Sequence, residues 1–245
     1  MNDATLWAVI PAAGGGRRMQ AAISKQYLPF IDNCTLMQCT LERLLQFGLS
    51  RLILAVSPDD EAWSKVLSSM PESAVKNIRV IKSGGVERAH TVLQTLQAIE
   101  YEAQPQDLVL VHDLARPCLT ATDLEAVVSA ARSSSHGAIL ASPLADTLKR
   151  ARPNEGEPAG AVIDCTVPRT DLWRALTPQV FRYQELKEAL ANADLSEITD
   201  EASAIELAGG TVQLVAGRSD NIKVTVASDL LLAAYIYRQQ MVQRQ

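Results

Sequence analysis

Short apolar runs recur along the chain: LWAVIP at 6–11, RLILAVS at 51–57, IRVIK at 78–82, DLVLVHD at 107–113 and GAILASP at 137–143. The first of these suits a strand buried on both faces of a parallel sheet, and the others read as strands as well. Helical spacing fills the intervals. Residues 35–47 place Leu36, Met37, Thr40, Leu41, Leu44 and Leu45 on one side, with Gly48 as a stop, and Val92, Leu93, Leu96 and Ile99 give a later segment its apolar face. Ser57 or Asp59 is expected to cap the helix in SPDDEAWSKVLSSM, and Thr122 with Glu125 to form a capping box ahead of LEAVVSAAR. Strand and helix units in this rhythm demand right-handed crossovers. They predict an α/β fold with a doubly wound, mostly parallel sheet.

Between Leu144 and Pro178 the rhythm breaks into short extended pieces around a Pro/Asn/Gly turn. The segment reads as an inserted β-arm with its tip near 153–160. An arm without its own core is explained if Leu148, Val162, Ile163, Trp173 and Leu176 find burial, in part against a partner subunit. The pattern then resumes with a helix in YQELKEALANA, another in TDEASAIELAG capped by Thr199 and closed by Gly209 and Gly210, and a strand in TVQLVAG. A last helix from about Ser228 has apolar residues on more than one face, which predicts burial against both sheet and neighbours. The 245 residues fit a single domain, 1–245, with the arm as an insertion.

Composition narrows the partners. With 23 Lys+Arg against 28 Asp+Glu the net charge is -5, which argues against a broad basic face for nucleic acid or anionic lipid. No apolar stretch is long enough to span a membrane. Cys34, Cys39, Cys118 and Cys165 form neither CxxC pairs nor a dense disulfide spacing, so a reducing cytoplasm is the expected compartment. Any metal is expected to be a hard ion held by oxygens, since His90, His112 and His136 are few and scattered.

Polar residues gather where strands end, the place at which open α/β sheets bind ligands. Behind the first strand, PAAGGGRRM lets the backbone approach a bulky anion, and Arg17, Arg18 and Lys25 can neutralise it. A nucleoside triphosphate fits both features, although neither a P-loop nor a dinucleotide fingerprint is present. In KSGGVERAHTV, Gly84 and Gly85 form a backbone-lined slot. Arg88 there either contacts ligand or clamps acidic residues of neighbouring loops. Asp113 follows directly on a buried strand, where a carboxylate needs a cation: a divalent ion shared with substrate phosphates, or Arg116 as a structural pair. His112 reads as structural. Lys223 falls in GRSDNIKVT, expected to be a short strand-like element, and the TDE at 199–201 needs no more than a capping role.

Taken together and in order, PAAGGGRRM, KQY, GGVERAHTV, VHDLARPCL, LTPQVF, ITDEASAIE and DNIKVT resemble the 2-C-methyl-D-erythritol 4-phosphate cytidylyltransferase family of non-mevalonate isoprenoid biosynthesis, over essentially the whole chain. The resemblance implies a Rossmann-like domain that transfers CMP from CTP to methylerythritol phosphate, uses Mg²⁺ (or Mn²⁺ or Co²⁺), and forms a homodimer through an exchanged β-arm. It implies that Ala12, Ala13, Gly14 and Gly16 wrap the triphosphate, with Arg18 and Lys25 on its phosphates. Gly85, Arg88 and Thr91 would border the nucleoside pocket. Asp113 would be the metal-linked aspartate and Arg116 its neighbour. Thr147 and Arg169 would reach from the partner's arm toward the sugar phosphate held by Lys223, while Thr177 and Gln179 of TPQ would shape the site. Leu114, Val86, Thr91 and Pro168 depart from the usual pattern without removing a charge assigned to chemistry. The alternatives are a ribitol-5-phosphate cytidylyltransferase and a noncatalytic nucleotide-sensing protein, the latter opposed by the joint presence of Lys25, Asp113 and Lys223.

Overall fold

The computed structural model describes residues 4–14, 24–49, 51–85, 87–153 and 161–242. The first strand, β1 (Leu6–Pro11), is followed by a 3₁₀ turn at Lys25–Tyr27, the small pair β2 (Pro29–Ile31) and β3 (Cys34–Thr35), and helix α1 (Leu36–Gln46). Next come β4 (Leu52–Val56), α2 (Ala62–Ser68), α3 (Glu72–Val75), β5 (Ile78–Lys82), α4 (Arg88–Ala98), β6 (Leu108–Val111), α5 (Ala121–Ser133) and β7 (Ala138–Pro143). A hairpin of β8 (Leu148–Pro153) and β9 (Ala161–Val167) leads to β10 (Trp173–Arg182), α6 (Tyr183–Asn192), α7 (Glu201–Leu207), β11 (Gln213–Ala216) and α8 (Ala227–Val242).

The main sheet has seven strands in the order β11-β7-β10-β6-β1-β4-β5. Every neighbouring pair is parallel except those made by β10, which runs antiparallel between β6 and β7. Period-two alternation splits its strands between two cores. Ala8 and Ile10 of β1 face α1 and α5 through Met37, Leu41, Leu124 and Val127, while Trp7 and Val9 face α4, α6 and α7 through Val92, Leu96, Leu186 and Ile205. Helices therefore cover both faces, as the apolar strand runs require. Each fully buried Leu or Ile adds about 1.5–3 kcal/mol of transfer free energy.

Several local expectations are corrected. Neither Ser57 nor Asp59 caps α2: the helix starts at Ala62, whose N–H donates to Asp60 Oδ1 at 2.9 Å. α5 is capped by Thr120, which accepts from Asp123 N, and not by Thr122; the earlier start adds two residues ahead of the register that buries Leu124, Val127 and Ala131. α7 is capped by Asp200 in a reciprocal box with Ser203, and not by Thr199. The stop at Gly48 holds, its φ of 78° lying in the left-handed region that glycine occupies without strain.

The segment 144–178 divides. The β8–β9 hairpin stands apart with mostly exposed side chains, Ile163 among them, whereas β10 from Trp173 onward returns to the middle of the sheet and buries Leu176. Pro178 hides this strand from a sequence reading, because proline cannot donate to a ladder. It is accommodated at the register shift between Ala175 and Gln179. α8 buries Ala233, Tyr237 and Gln240 on a cluster with Phe30, Leu36 and Cys118, but leaves Leu231, Leu232 and Tyr235 exposed, so it is covered on one face only. Among the described residues no helix is long and apolar enough to cross a membrane.

Candidate active site at the strand switch point

The chain steps outward from β1 to β4 and β5, then returns to the other side of β1 with β6. Where the direction reverses, the loops leaving β1 and β6 diverge and open a crevice at their C-terminal ends. A cleft of about 700 Å³ lies there, lined by Ala12, Ala13 and Gly14 after β1, Lys25 and Gln26 on the 3₁₀ turn, Gly85, Glu87, Arg88 and Thr91 at the start of α4, Asp113, Leu114 and Ala115 after β6, and Lys223 and Thr225. Its size is that of ordinary small-molecule sites.

Local sequence explains each wall. Gly85 lies so close to α4 that a Cβ there would sit 2.3 Å from His90 Cβ, so only glycine fits. Glu87 N-caps α4 with a reciprocal box to His90. Buried Gln26 donates to the Ala12 carbonyl at 3.2 Å, fixing the exit of β1 against the turn that bears Lys25. Lys25 Nζ donates to the Val224 carbonyl at 2.9 Å.

Asp113 is the electrostatic centre. Its Oδ1 accepts from Arg88 Nε at 3.1 Å, and its Oδ2 meets Lys223 Nζ at 2.7 Å and Arg116 Nε at 3.7 Å. Burial opposes ionisation of this carboxyl. The charges of Arg88, Lys223 and Arg116 outweigh it and hold Asp113 far below the ordinary carboxylate range. Arg88 also binds Glu201 Oε1 through Nη1 at 2.5 Å, so it is a clamp between two acids as well as a cleft wall. Burial pushes the Glu201 carboxyl up while Arg88 pulls it back. Arg116 lies behind Asp113, with Nη1 donating to the Asn221 carbonyl at 2.7 Å, and burial lowers its pKa.

His112 is fully buried and both ring nitrogens are engaged. Nε2 lies 3.0 Å from the Arg116 carbonyl, which can only accept, so Nε2 carries the proton and Nδ1, 3.1 Å from Thr177 Oγ1, accepts from that hydroxyl. Thr177 Oγ1 in turn accepts from Asp113 N at 3.0 Å. This lock fixes the main chain of residues 112–116. Burial lowers the His112 pKa to about 4 against 6.5 for an exposed imidazole. The unfolded chain therefore takes up a proton near 6.5 that the fold refuses until about 4, so this contribution to stability is whole above pH 6.5 and is lost as pH falls toward 4. The loss amounts to about 3 kcal/mol. Urea unfolding at pH 7 and pH 4.5 should show it, with His112→Asn flattening the slope; an unchanged slope in the variant would assign the acid sensitivity elsewhere.

The structure thus gathers Ala12, Ala13, Gly14, Lys25, Gly85, Arg88, Thr91, Asp113 and Lys223 around one cleft, with Arg116 directly behind. Thr147 and Arg169 lie exposed on either side of the arm and do not line it. Gly16, Arg17 and Arg18 fall outside the described residues. The strand expected around Lys223 is absent: residues 217–226 are irregular, held by scattered hydrogen bonds instead of a ladder. Sequence reading missed Gln26, Glu201 and Asn221. Gln26 and Asn221 stood beside assigned lysines in KQY and DNIK, and Glu201 looked like a capping acid until Arg88 was seen against it.

The family model for 2-C-methyl-D-erythritol 4-phosphate cytidylyltransferase (IspD) matches residues 6–239. A relative carrying that same description from Cronobacter sakazakii is 48% identical over 231 residues, covering 93% of this chain and 92% of the relative. One from Tolumonas auensis is 47% identical over 239 residues, covering 96% and 98%. Among solved structures, a 4-diphosphocytidyl-2C-methyl-D-erythritol synthase superposes with a TM-score of 0.77 at 34% identity, over 96% of this chain and 99% of that one. The 2-C-methyl-D-erythritol 4-phosphate cytidylyltransferase of Francisella tularensis gives 0.76 at 29% identity, over 95% and 100%.

Proposed function

Since the chain belongs to the 2-C-methyl-D-erythritol 4-phosphate cytidylyltransferase family, we propose a division of labour in its cleft for that family's reaction. CMP passes from CTP to the phosphate of 2-C-methyl-D-erythritol 4-phosphate, and pyrophosphate leaves. A phosphate monoester has its second pKa near 6, so the attacking oxygen is already ionised at neutral pH and no general base is required. His112, next to Asp113, is buried with both nitrogens occupied, in keeping with that. Catalysis reduces to bringing two polyanions in line and cancelling their charge.

The observation that carries the reading is the meeting of two lysines at one loop. Lys25 Nζ is held on the carbonyl of Val224, and the preceding residue, Lys223, points to Asp113 at the same cleft. Lys25, with Arg18, takes the triphosphate and the charge that develops on the leaving pyrophosphate. The main chain of Ala12, Ala13 and Gly14 wraps the same phosphates, and Gly85, Arg88 and Thr91 border the nucleoside. Lys223, backed by Arg116, takes the incoming phosphate. Thr147 and Arg169 stand exposed near the arm of a cytoplasmic homodimer and serve the partner's cleft.

The cleft offers two carboxylates, Glu87 and Asp113, and among the described residues no group of three or more His, Cys, Asp or Glu could hold a metal ion alone. A sparse donor set fits Mg²⁺, which keeps waters and draws most ligands from substrate phosphates. Asp113 would hold it, being fully ionised and keeping lone-pair capacity on Oδ1 beyond its bond to Arg88. When bound, the ion neutralises triphosphate charge.

Steady-state kinetics test the division. Lys25→Ala should lower kcat by roughly 10²-fold with little change in either KM, because its charge is matched to the transition state. Arg169→Ala should raise KM for the sugar phosphate about tenfold and leave kcat near wild type, the mark of uniform binding. Equal effects on both constants in both variants would sink the proposal.

A further inference from the structure

Lys223 sits in an irregular segment, yet its ammonium is set 2.7 Å from Asp113. Something other than a strand must hold it there. One residue beyond, Val224 N–H donates to the Ala115 carbonyl at 2.8 Å. Two residues before, Asn221 is completely buried and makes bonds in three directions. Its Nδ2 donates to the Thr177 carbonyl at 2.9 Å, its own carbonyl accepts from Arg116 Nη1 at 2.7 Å, and its N–H closes a turn on the Arg218 carbonyl at 3.2 Å. Thr177 is the residue whose hydroxyl holds the main chain of Asp113. A single position on β10 therefore fixes both ends of the Asp113–Lys223 pair, one through its hydroxyl and the other through Asn221.

We propose that Asn221 is a positioning residue for the sugar-phosphate half of the reaction, acting through Lys223 and Arg116. Its Oδ1 is buried without a hydrogen-bond partner, and that loss offsets much of what the Nδ2 bond contributes to stability. The side chain's effect falls on where the loop lies more than on whether the chain folds. A long, flexible lysine anchored two residues from a fixed point loses fewer alternative placements when it takes up an anion. Among the described residues the nucleotide half, built from β1, the 3₁₀ turn and α4, has no hydrogen bond to Asn221; it meets this loop through Lys25 Nζ on the Val224 carbonyl.

The inference rests on Lys223 gripping the acceptor phosphate, and the test separates the two ideas. Steady-state constants would be measured for the full chain as wild type, Asn221→Ala, Lys223→Ala and the double variant. The expected result is that Asn221→Ala raises KM for methylerythritol phosphate about tenfold, keeps KM for CTP within about twofold, and adds less than about twofold to acceptor KM once Lys223 is already alanine. If Lys223→Ala leaves acceptor KM unchanged, the reading of Lys223 fails and the inference with it. If Lys223→Ala raises it but Asn221→Ala does not, or multiplies the effect in full, or moves both KM values alike, the link through Asn221 alone is overturned. Asn221→Asp preserves the volume while removing the donor to the Thr177 carbonyl. Should the alanine variant fail to fold, the same outcomes read on Asn221→Asp decide the question.

Discussion

Asp113→Asn should cut kcat/KM by roughly 10³-fold in a chain that remains folded. The substitution keeps the shape of the side chain. It also keeps the bond that holds the loop, because Thr177 Oγ1 accepts from the main-chain N–H of residue 113 and not from its side chain. What it removes is the one negative charge shared by Arg88, Lys223 and Arg116. Three cations then face one another across a partly buried space, and a flexible Lys223, 40% exposed, is the group free to move away. The acceptor phosphate loses its placed ammonium, and the divalent ion loses the carboxylate proposed to hold it. A kcat/KM within about tenfold of wild type would show that the Asp113 charge is structural only. Recovery at high Mg²⁺ would separate the two losses, since mass action restores a weakened metal site but does not return Lys223 to its place.

How far the sequence could be read follows from where its information is local. Strands β1, β4, β6 and β7 announce themselves because burial on both faces leaves few polar positions to blur them, and the edge strand β5 still shows through Ile78, Val80 and Ile81 between its exposed Arg79 and Lys82. Strand β10 does not, since its pairing partners β6 and β7 are distant in sequence and Pro178 argues against a central strand. The helix caps were misplaced for a related reason. Thr120 and Thr122, or Thr199 and Asp200, are near-equivalent chemically, and only the register of buried side chains chooses between them.

The site divides in the same manner. Lys25, Asp113 and Lys223 are unusual residue types at strand ends or beside glycine turns, so their chemistry shows in one dimension. Glu201 and Asn221 are ordinary residues whose importance lies in what they face, Arg88 in one case and Thr177 with Arg116 in the other. The expected strand around Lys223 fails on the same ground. Isolated apolar residues such as Ile222 and Val224 look strand-like, but the loop is held by side-chain and single main-chain bonds to Thr177 and Ala115 instead of by a ladder.

Arg88→Ala should destabilise the chain by about 3–5 kcal/mol, and so lower Tm by roughly 6–20 °C. The reason lies less in the arginine than in what it leaves behind. Glu201 is 1% exposed, its Oε1 meets Arg88 Nη1 at 2.5 Å, and its Oε2 has no hydrogen-bond partner. Without Arg88 that carboxylate must either stay charged in a dry site or take up a proton, and burial already pushes it toward the latter. The loss of stability should therefore be smaller at pH 5 than at pH 8, because a neutral Glu201 no longer needs the guanidinium. Glu201→Gln placed on top of Arg88→Ala tests the cause directly: it removes the stranded charge and should restore a large part of the lost Tm, as removal of both partners of a buried pair does elsewhere. Activity should not return with it, since Asp113 still lacks one of its three cations. Thermal melts of the single and double variants at the two pH values decide the matter, and a double variant no more stable than Arg88→Ala would trace the damage to lost packing around the arginine stem instead.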